Sequence, residues 1–246
     1  MRRPKPINLG AAAGRHVRPS NRSTTEPPQT RAWYRISNSS DGTAADVSIF
    51  DEIGYWGVTA ADFIQEINAL DVASLTVHIN SPGGDVYDGV AIYNALLAHA
   101  ADVTTSVEGL AASIGSVIAQ AGSPRIVARA SQMMIHEPFA GCVGNAADMR
   151  EAAGMLDKVA DMLADVYAAR AGGTPAMWRK AMAAETWYSS DEAVQAGLAD
   201  AVRGAASQDS FDLSTFKHAG RDDAPRPPLF DWNPGAVAAA IREALV

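Results

Sequence analysis

Three short stretches of this sequence bring together residue types that can carry out acyl transfer. The first is Val107-Glu108-Gly109-Leu110-Ala111-Ala112-Ser113-Ile114-Gly115. It reads as a strand running through a glycine into a helix, with Ser113 near the helix N-terminus, where free N–H groups and the helix dipole favour developing negative charge. Small neighbours leave room for a substrate carbonyl, which is the logic of a nucleophile elbow. The same letters also fit a tightly packed small-residue helix with Ser113 as an ordinary polar cap. The second stretch, Met133-Met134-Ile135-His136-Glu137-Pro138, sets a histidine at the end of an apolar strand, just where a proline takes the chain out of the sheet. The third, Ile79-Asn80-Ser81-Pro82-Gly83-Gly84-Asp85, follows a strand and opens a helix. Its glycines let the backbone pass close to a ligand with N–H groups pointing outward. Taken alone it is equally a plain strand–turn–helix junction.

Other residues of the reactive types have simpler readings. His16 and His218 fall in terminal segments, His78 inside a strand and His99 on a helix end, and the last two read as structural. Met133 and Met134 read as packing on a sheet face. Cys142, the single cysteine, reads as a small filler with no base beside it.

Positioning these residues takes an alternation of strands and helices. Trp33–Ile36 and Val47–Phe50 read as short strands around the turn Ser39-Ser40-Asp41-Gly42. Thr59 reads as the N-cap of a helix with Phe63, Ile64, Ile67 and Leu70 at helical spacing. A strand over Leu75–Ile79, a helix over Val86–Ala100 and a strand over Val103–Val107 follow, then a small-residue helix over Ala111–Ala121. Arg125–Ala128 and Met133–Ile135 read as strands and Asn145–Arg170 as a long amphipathic helix ended by Gly172-Gly173. Thr174-Pro175 opens a short helix, and Ser190–Ala196 is another, stopped by Gly197. Strands separated by helices predict an α/β domain with a mixed, mostly parallel sheet covered by helices.

Composition bounds the rest. Of 246 residues, 48% are hydrophobic and 20% charged, as in an ordinary globular protein. No apolar run reaches the roughly 18 residues of a membrane span, and the first residues lack the apolar stretch of a signal peptide, so a cytoplasmic protein is expected. The net charge is −8, although residues 1–31 carry seven Lys or Arg against the single acid Glu26. The remainder is more acidic than the whole, which argues against nucleic acid as the main partner. Residues 1–30 read as a disordered basic arm, 31–204 as the folded domain, 205–233 as a polar Pro-rich linker, and 234–246 as a terminal helix with Val237, Ile241 and Leu245 in line.

In combination the three stretches are far more specific than each alone. The chain resembles the proteolytic subunit of Clp peptidases, whose Pro-Gly-Gly turn, Gly-x-Ala-Ser-x-Gly nucleophile segment and Met-Ile-His-x-Pro base segment match Ser81–Gly84, Gly109–Gly115 and Met134–Pro138 in order and near-spacing. The resemblance covers roughly residues 46–203. Within the family, Gly54-Tyr55-Trp56-Gly57-Val58-Thr59-Ala60, Gly144-Asn145-Ala146-Ala147-Asp148 and Glu185-Thr186-Trp187-Tyr188 are most similar to the head maturation proteases of tailed bacteriophages. The resemblance implies a ClpP/crotonase-like fold with a long handle-type helix. It implies a serine endopeptidase with Ser113 as nucleophile, His136 as base and the Gly84 and Ile114 N–H groups as oxyanion hole. The family's third member is an aspartate, and Glu185 stands at the matching position, one methylene longer; a water or carbonyl orienting His136 is the other option. Gly83, Gly141 and Val143 are candidate substrate contacts, with Phe139–Gly144 as a strand edge for an extended peptide.

Expected partners are protein or peptide substrates, with capsid proteins, scaffold proteins and the chain's own termini among them, and further copies of the chain in a homo-oligomer with a ring possible. No metal, cofactor, membrane or nucleic acid is expected. No Gly-x-x-x-x-Gly-Lys-Ser motif occurs and the arm does not look like an ATPase-docking loop, so cleavage without an ATPase partner is expected. Three alternatives remain at this stage. A crotonase-type acyl-CoA enzyme would keep its activity in Ser113→Ala. A Ser–Lys peptidase would use Lys158. An inactive Clp-fold assembly protein would have lost catalysis.

Overall fold

The computed structural model describes residues 33–39, 41–54, 59–204, 217–218 and 224. The arm expected over 1–30 and the helix expected over 234–246 lie outside the described residues, as does the expected linker apart from 217–218 and 224. The chain opens with a hairpin, β1 (Tyr34–Asn38) against β2 (Ala44–Phe50), the only antiparallel pair on the main path of the described sheet. Helix α1 (Ala60–Asn68) starts at Thr59 in a reciprocal capping box with Asp62, satisfying two N-terminal donors. Strand β3 (Ser74–Ser81) then lies parallel to β2 on one side and to β4 (Asp102–Ala112) on the other. Helix α2 (Val86–Ala98), capped by the Asp85 carboxylate, makes the crossover between β3 and β4.

After β4 come α3 (Ile114–Ile118) and a 3₁₀ turn, Ala119–Ala121. Then follow β5 (Arg125–Ala128), β6 (Gln132–Ile135), the long α4 (Ala146–Ala171), α5 (Pro175–Ala183), β7 (Thr186–Ser189), α6 (Ser190–Gln195) and β8 (Ala201–Arg203). The eight strands form one sheet ordered β1-β2-β3-β4-β5-β8, with β6 branching from β4 and β7 pairing β6. This is the mixed, mostly parallel sheet with covering helices that the alternation of elements implied.

Strand β4 is the pivot of the sheet. Its Thr105–Val107 pair with Arg125–Val127 of β5, whereas its end, Leu110–Ala112, pairs with Gln132–Met134 of β6. The fork corrects one sequence expectation. The helix placed over Ala111–Ala121 begins only at Ile114, and the alanines before it are strand. Alanine favours helix by well under 1 kcal/mol per residue, so a ladder of hydrogen bonds to a neighbouring strand overrides that preference.

The core is built from both helix-facing sheet residues and helix stripes. Val77, Ile79 and Val107 of the sheet pack with Val117, Ile118, Leu163, Tyr167 and Trp178 from the helices. A second, smaller apolar cluster forms where β4, β6 and β7 meet: Leu110, Ala112, Met134, Trp187 and Ala224. The buried Arg125 guanidinium forks onto the half-exposed Asp200 at 2.6 and 3.2 Å and donates to Gln120 Oε1 and the Arg170 carbonyl at 2.9 and 3.1 Å. Arg170 in turn donates to the Gln120 carbonyl at 2.7 Å. This network ties the end of α4 to the 3₁₀ turn and to the segments leading into β5 and β8. Among the described residues no helix is long and apolar enough to cross a membrane.

Candidate active site

Register alone brings the sequence-predicted residues together. Ser113 is the residue after β4, and its N–H donates to the Met134 carbonyl of β6 at 2.9 Å. His136 is the residue after β6. Because β6 and β7 run antiparallel with Ile135 opposite Thr186, Glu185 falls across from His136 at the mouth of that pair. Three strand ends therefore carry one side chain each to a common point.

Ser113 turns sharply there. Its φ of 54° and ψ of −128° lie outside the ordinary wells of a non-glycine residue, a conformation that costs on the order of 1–3 kcal/mol and persists only when packing enforces it. Ser113 occupies the N-cap of α3 without making a side-chain cap bond, so its hydroxyl is available for other work. Ser116 holds the turn from below: its hydroxyl donates to the Ser113 carbonyl at 2.6 Å and lies 2.7 Å from the Tyr167 hydroxyl of α4. The elbow expected from the small residues is present, with Ser113 ahead of the helix rather than inside it.

Ser113 Oγ lies 2.7 Å from His136 Nε2. With the imidazole proton on Nδ1, the hydroxyl donates to Nε2, as a general base requires. Burial pulls the His136 pKa below its ordinary value, and the negative charge of Glu185 works in the opposite direction. The imidazole is therefore uncharged at neutral pH and able to accept a proton.

The glycine turn lies against the nucleophile. Gly83 has φ +105°, and a Cβ there would stand 2.6 Å from Ser113 Cβ, so a side chain would displace the serine. Gly84, with φ +150°, pairs with Ile53 through its neighbours: the Ile53 N–H donates to Gly83 O at 2.8 Å and the Asp85 N–H to Ile53 O at 3.0 Å. In that parallel pattern the Gly84 N–H itself points away from Ile53. The Ile114 N–H, first of α3, has no intrahelical acceptor. Both N–H groups assigned to the oxyanion hole thus belong to backbone free of ladder duty beside Ser113.

Glu185 is no surface acid: it is 7% exposed. It follows the C-cap of α5 with φ +53°, a position glycine usually takes. Its carboxylate accepts hydrogen bonds from the main-chain N–H of Lys217 at 2.8 Å and of His218 at 2.7 Å, with Trp187 Nε1 at 3.5 Å. Among the described residues its hydrogen bonds come from these donors, and its effect on His136 is electrostatic.

The substrate-contact candidates separate. Gly83 is at the nucleophile, whereas Gly141 and Val143 are exposed in the stretch between β6 and α4. Among the described residues, Phe139–Gly144 pairs with no strand. Phe139, the first residue of that stretch, has its ring 5.7 Å from the His136 imidazole while remaining largely exposed, a contact the sequence reading did not include. The support from Ser116 and Tyr167 also went unread, although the three-residue step from Ser113 to Ser116 is the spacing of one helical turn. Lys158 is exposed on α4, and the partner of Ser113 is His136, which removes the Ser–Lys alternative.

Comparison with known proteins agrees with this geometry. The Clp protease family model matches residues 45–205. The ATP-dependent Clp protease proteolytic subunit 1 of Chlamydia abortus is 35% identical over 152 residues, covering 58% of this chain and 79% of that protein. Its counterpart in Protochlamydia amoebophila is 38% identical over 128 residues, 50% of this chain and 62% of that protein. Subunit 3 of Rhodococcus jostii is 34% identical over 130 residues, 52% of this chain and 64% of that protein. The matched span contains every residue of the serine–histidine site, and the crotonase-type alternative falls with it. With a serine elbow, a neutral histidine in hydrogen-bond contact and a match over most of its folded domain, the chain belongs to the Clp protease family of serine peptidases.

Proposed function

We propose that this chain is the head maturation protease of a tailed bacteriophage, an endopeptidase that works through Ser113, His136 and Glu185 without an ATPase. The observation that carries the chemistry is the 2.7 Å contact between Ser113 Oγ and His136 Nε2 at the strained elbow. In the first step the Ser113 hydroxyl attacks the peptide carbonyl as His136 takes its proton, and the oxyanion is held by the Gly84 and Ile114 N–H groups. His136 then returns that proton to the leaving amine, and a water molecule activated by the same imidazole releases the acyl group from Ser113. Glu185 stabilises the transient imidazolium by its buried negative charge.

The finer assignment rests on sequence likeness. The stretches around Gly54, Gly144 and Glu185 are similar to the phage branch, and no nucleotide-binding motif occurs in the chain. Its substrates are then scaffold and capsid proteins of an assembling head, together with its own terminal segments, and it acts as a homo-oligomer like other Clp peptidases. The test is to incubate the purified protein, without nucleotide, with a loosely folded protein such as casein and with scaffold and capsid proteins of a tailed phage. Cleavage of the head proteins that is abolished in Ser113→Ala is the expected result. Cleavage that appears only when a Clp ATPase and ATP are added would remove the phage assignment while leaving the peptidase chemistry intact.

A further inference from the structure

The carboxylate of Glu185 is held from an unexpected place. Its two main-chain donors, the N–H groups of Lys217 and His218, lie 32 and 33 residues downstream, at 2.8 and 2.7 Å. Both are beyond the region that the Clp protease family model matches, which ends at residue 205. The same tail has a second anchor. Ala224 is 9% exposed and packs with Leu110, Ala112, Met134 and Trp187. Those four residues belong to the ends of β4, β6 and β7, the strands that deliver Ser113, His136 and Glu185. The Trp187 indole connects the two anchors, since its ring is in this cluster while its Nε1 faces Glu185 Oε1 at 3.5 Å.

We infer that Lys217 and His218 form a latch that positions Glu185 for catalysis through their main-chain N–H groups, with Ala224 as an apolar foot, outside the region that the family model matches. The inference rests on the reading of Glu185 as the third member of the catalytic relay. A glutamate side chain has one more rotatable bond than an aspartate, so more must be done to hold its carboxylate at one point. Two N–H groups, one on each oxygen, fix its plane. A carboxylate offers about four lone-pair sites, so these donors leave room for the imidazole during turnover. Lys217 and His218 are positioning residues in this scheme and touch no substrate.

Proline supplies the test, because it removes the N–H and leaves the chain otherwise continuous. The full-length protein, His218→Pro, His218→Ala, Lys217→Pro and Lys217→Ala are each reacted with a fluorophosphonate probe, and labelling of Ser113 is followed over a range of probe concentrations. Each proline variant is expected to show a limiting labelling rate about 10-fold or more below that of the alanine variant at the same position, as expected for losing a hydrogen bond to a charged group. The probe concentration giving half that rate is expected to change by less than about twofold, since the acid does not bind the probe. Combining His218→Pro with Glu185→Gln separates a positioning effect from general damage: the proline is expected to add less than about twofold to the loss already caused by Glu185→Gln.

Equal rates for proline and alanine variants would overturn the latch. So would faster labelling in the proline variants, which would make the segment an inhibitor, and so would a fully additive double variant. Poor folding, read by thermal melting against the alanine partners, would show as an additive loss and counts against the inference in the same way. Failure of the parent chain to label at Ser113 under conditions where it is folded is a different outcome, and it would sink the catalytic reading beneath the inference.

Discussion

His136 sits at the end of an apolar strand, and that location sets its chemistry. Burial disfavours the charged imidazolium and pulls its pKa below the ordinary 6.5, while the Glu185 charge opposes the shift. A protonated His136 cannot accept the Ser113 proton, so activity is lost as the pH falls through this lowered pKa and is fully present at neutral pH. The pH profile of kcat/KM is therefore expected to have its acid limb below pH 6.5. Glu185→Gln removes the charge that props the pKa up. Its acid limb is expected to move to still lower pH while kcat falls by about 10²–10⁴, the scale seen when a triad acid is neutralised. A limb that moves upward would contradict the electrostatic role of Glu185. At Gly83 the constraint is steric. Gly83→Ala would put a methyl 2.6 Å from Ser113 Cβ on a backbone with φ +105°, and a loss of kcat/KM of about 100-fold is expected. Near-normal kcat/KM in that variant would mean that the turn does not lie against the nucleophile as described.

At the scale of elements, the site depends on the fork in β4 and on what braces the elbow. The Ser116 hydroxyl joins the Ser113 carbonyl to Tyr167 of α4, and Ser116 and Tyr167 are both buried. Tyr167→Phe removes one of these bonds without creating a cavity, so a loss of about 1 kcal/mol in urea unfolding is expected. Much of this level was legible in the letters. Thr59, Asp85, Asn145 and Thr174 are side-chain caps, and the helices begin where these residues say. Ser113 and His136 were legible because glycine and alanine around a serine, and a histidine closing an apolar strand, are unusual combinations. What stayed hidden had physical reasons. Strand β7 is four residues and β8 three, too short for a period of two to appear. The continuation of β4 through Ala111 and Ala112 is imposed by β6, a tertiary partner that local propensity does not encode. The donors to Glu185 are main-chain N–H groups, which every residue except proline has, so no side chain announces them.

For the whole molecule, one buried polar network and one pair of catalytic side chains carry most of the consequence. Arg125 is 8% exposed and serves Asp200, Gln120 and the Arg170 carbonyl at once. Arg125→Ala leaves the buried Gln120 Oε1 and the Arg170 carbonyl without this donor, while the half-exposed Asp200 keeps the main-chain N–H of residue 125, and a loss of about 1–3 kcal/mol, with a lowered Tm, is expected. A change of less than about 1 kcal/mol would mean that water takes over the role of the guanidinium. The peptidase chemistry itself is tested most directly by reacting the folded, assembled protein with a fluorophosphonate and mapping the adduct by mass spectrometry. Stoichiometric modification at Ser113, absent from Ser113→Ala and strongly slowed in His136→Ala, is the expected result. Folded, assembled protein that remains unmodified, or that is modified equally well in His136→Ala, would contradict a serine activated by that histidine.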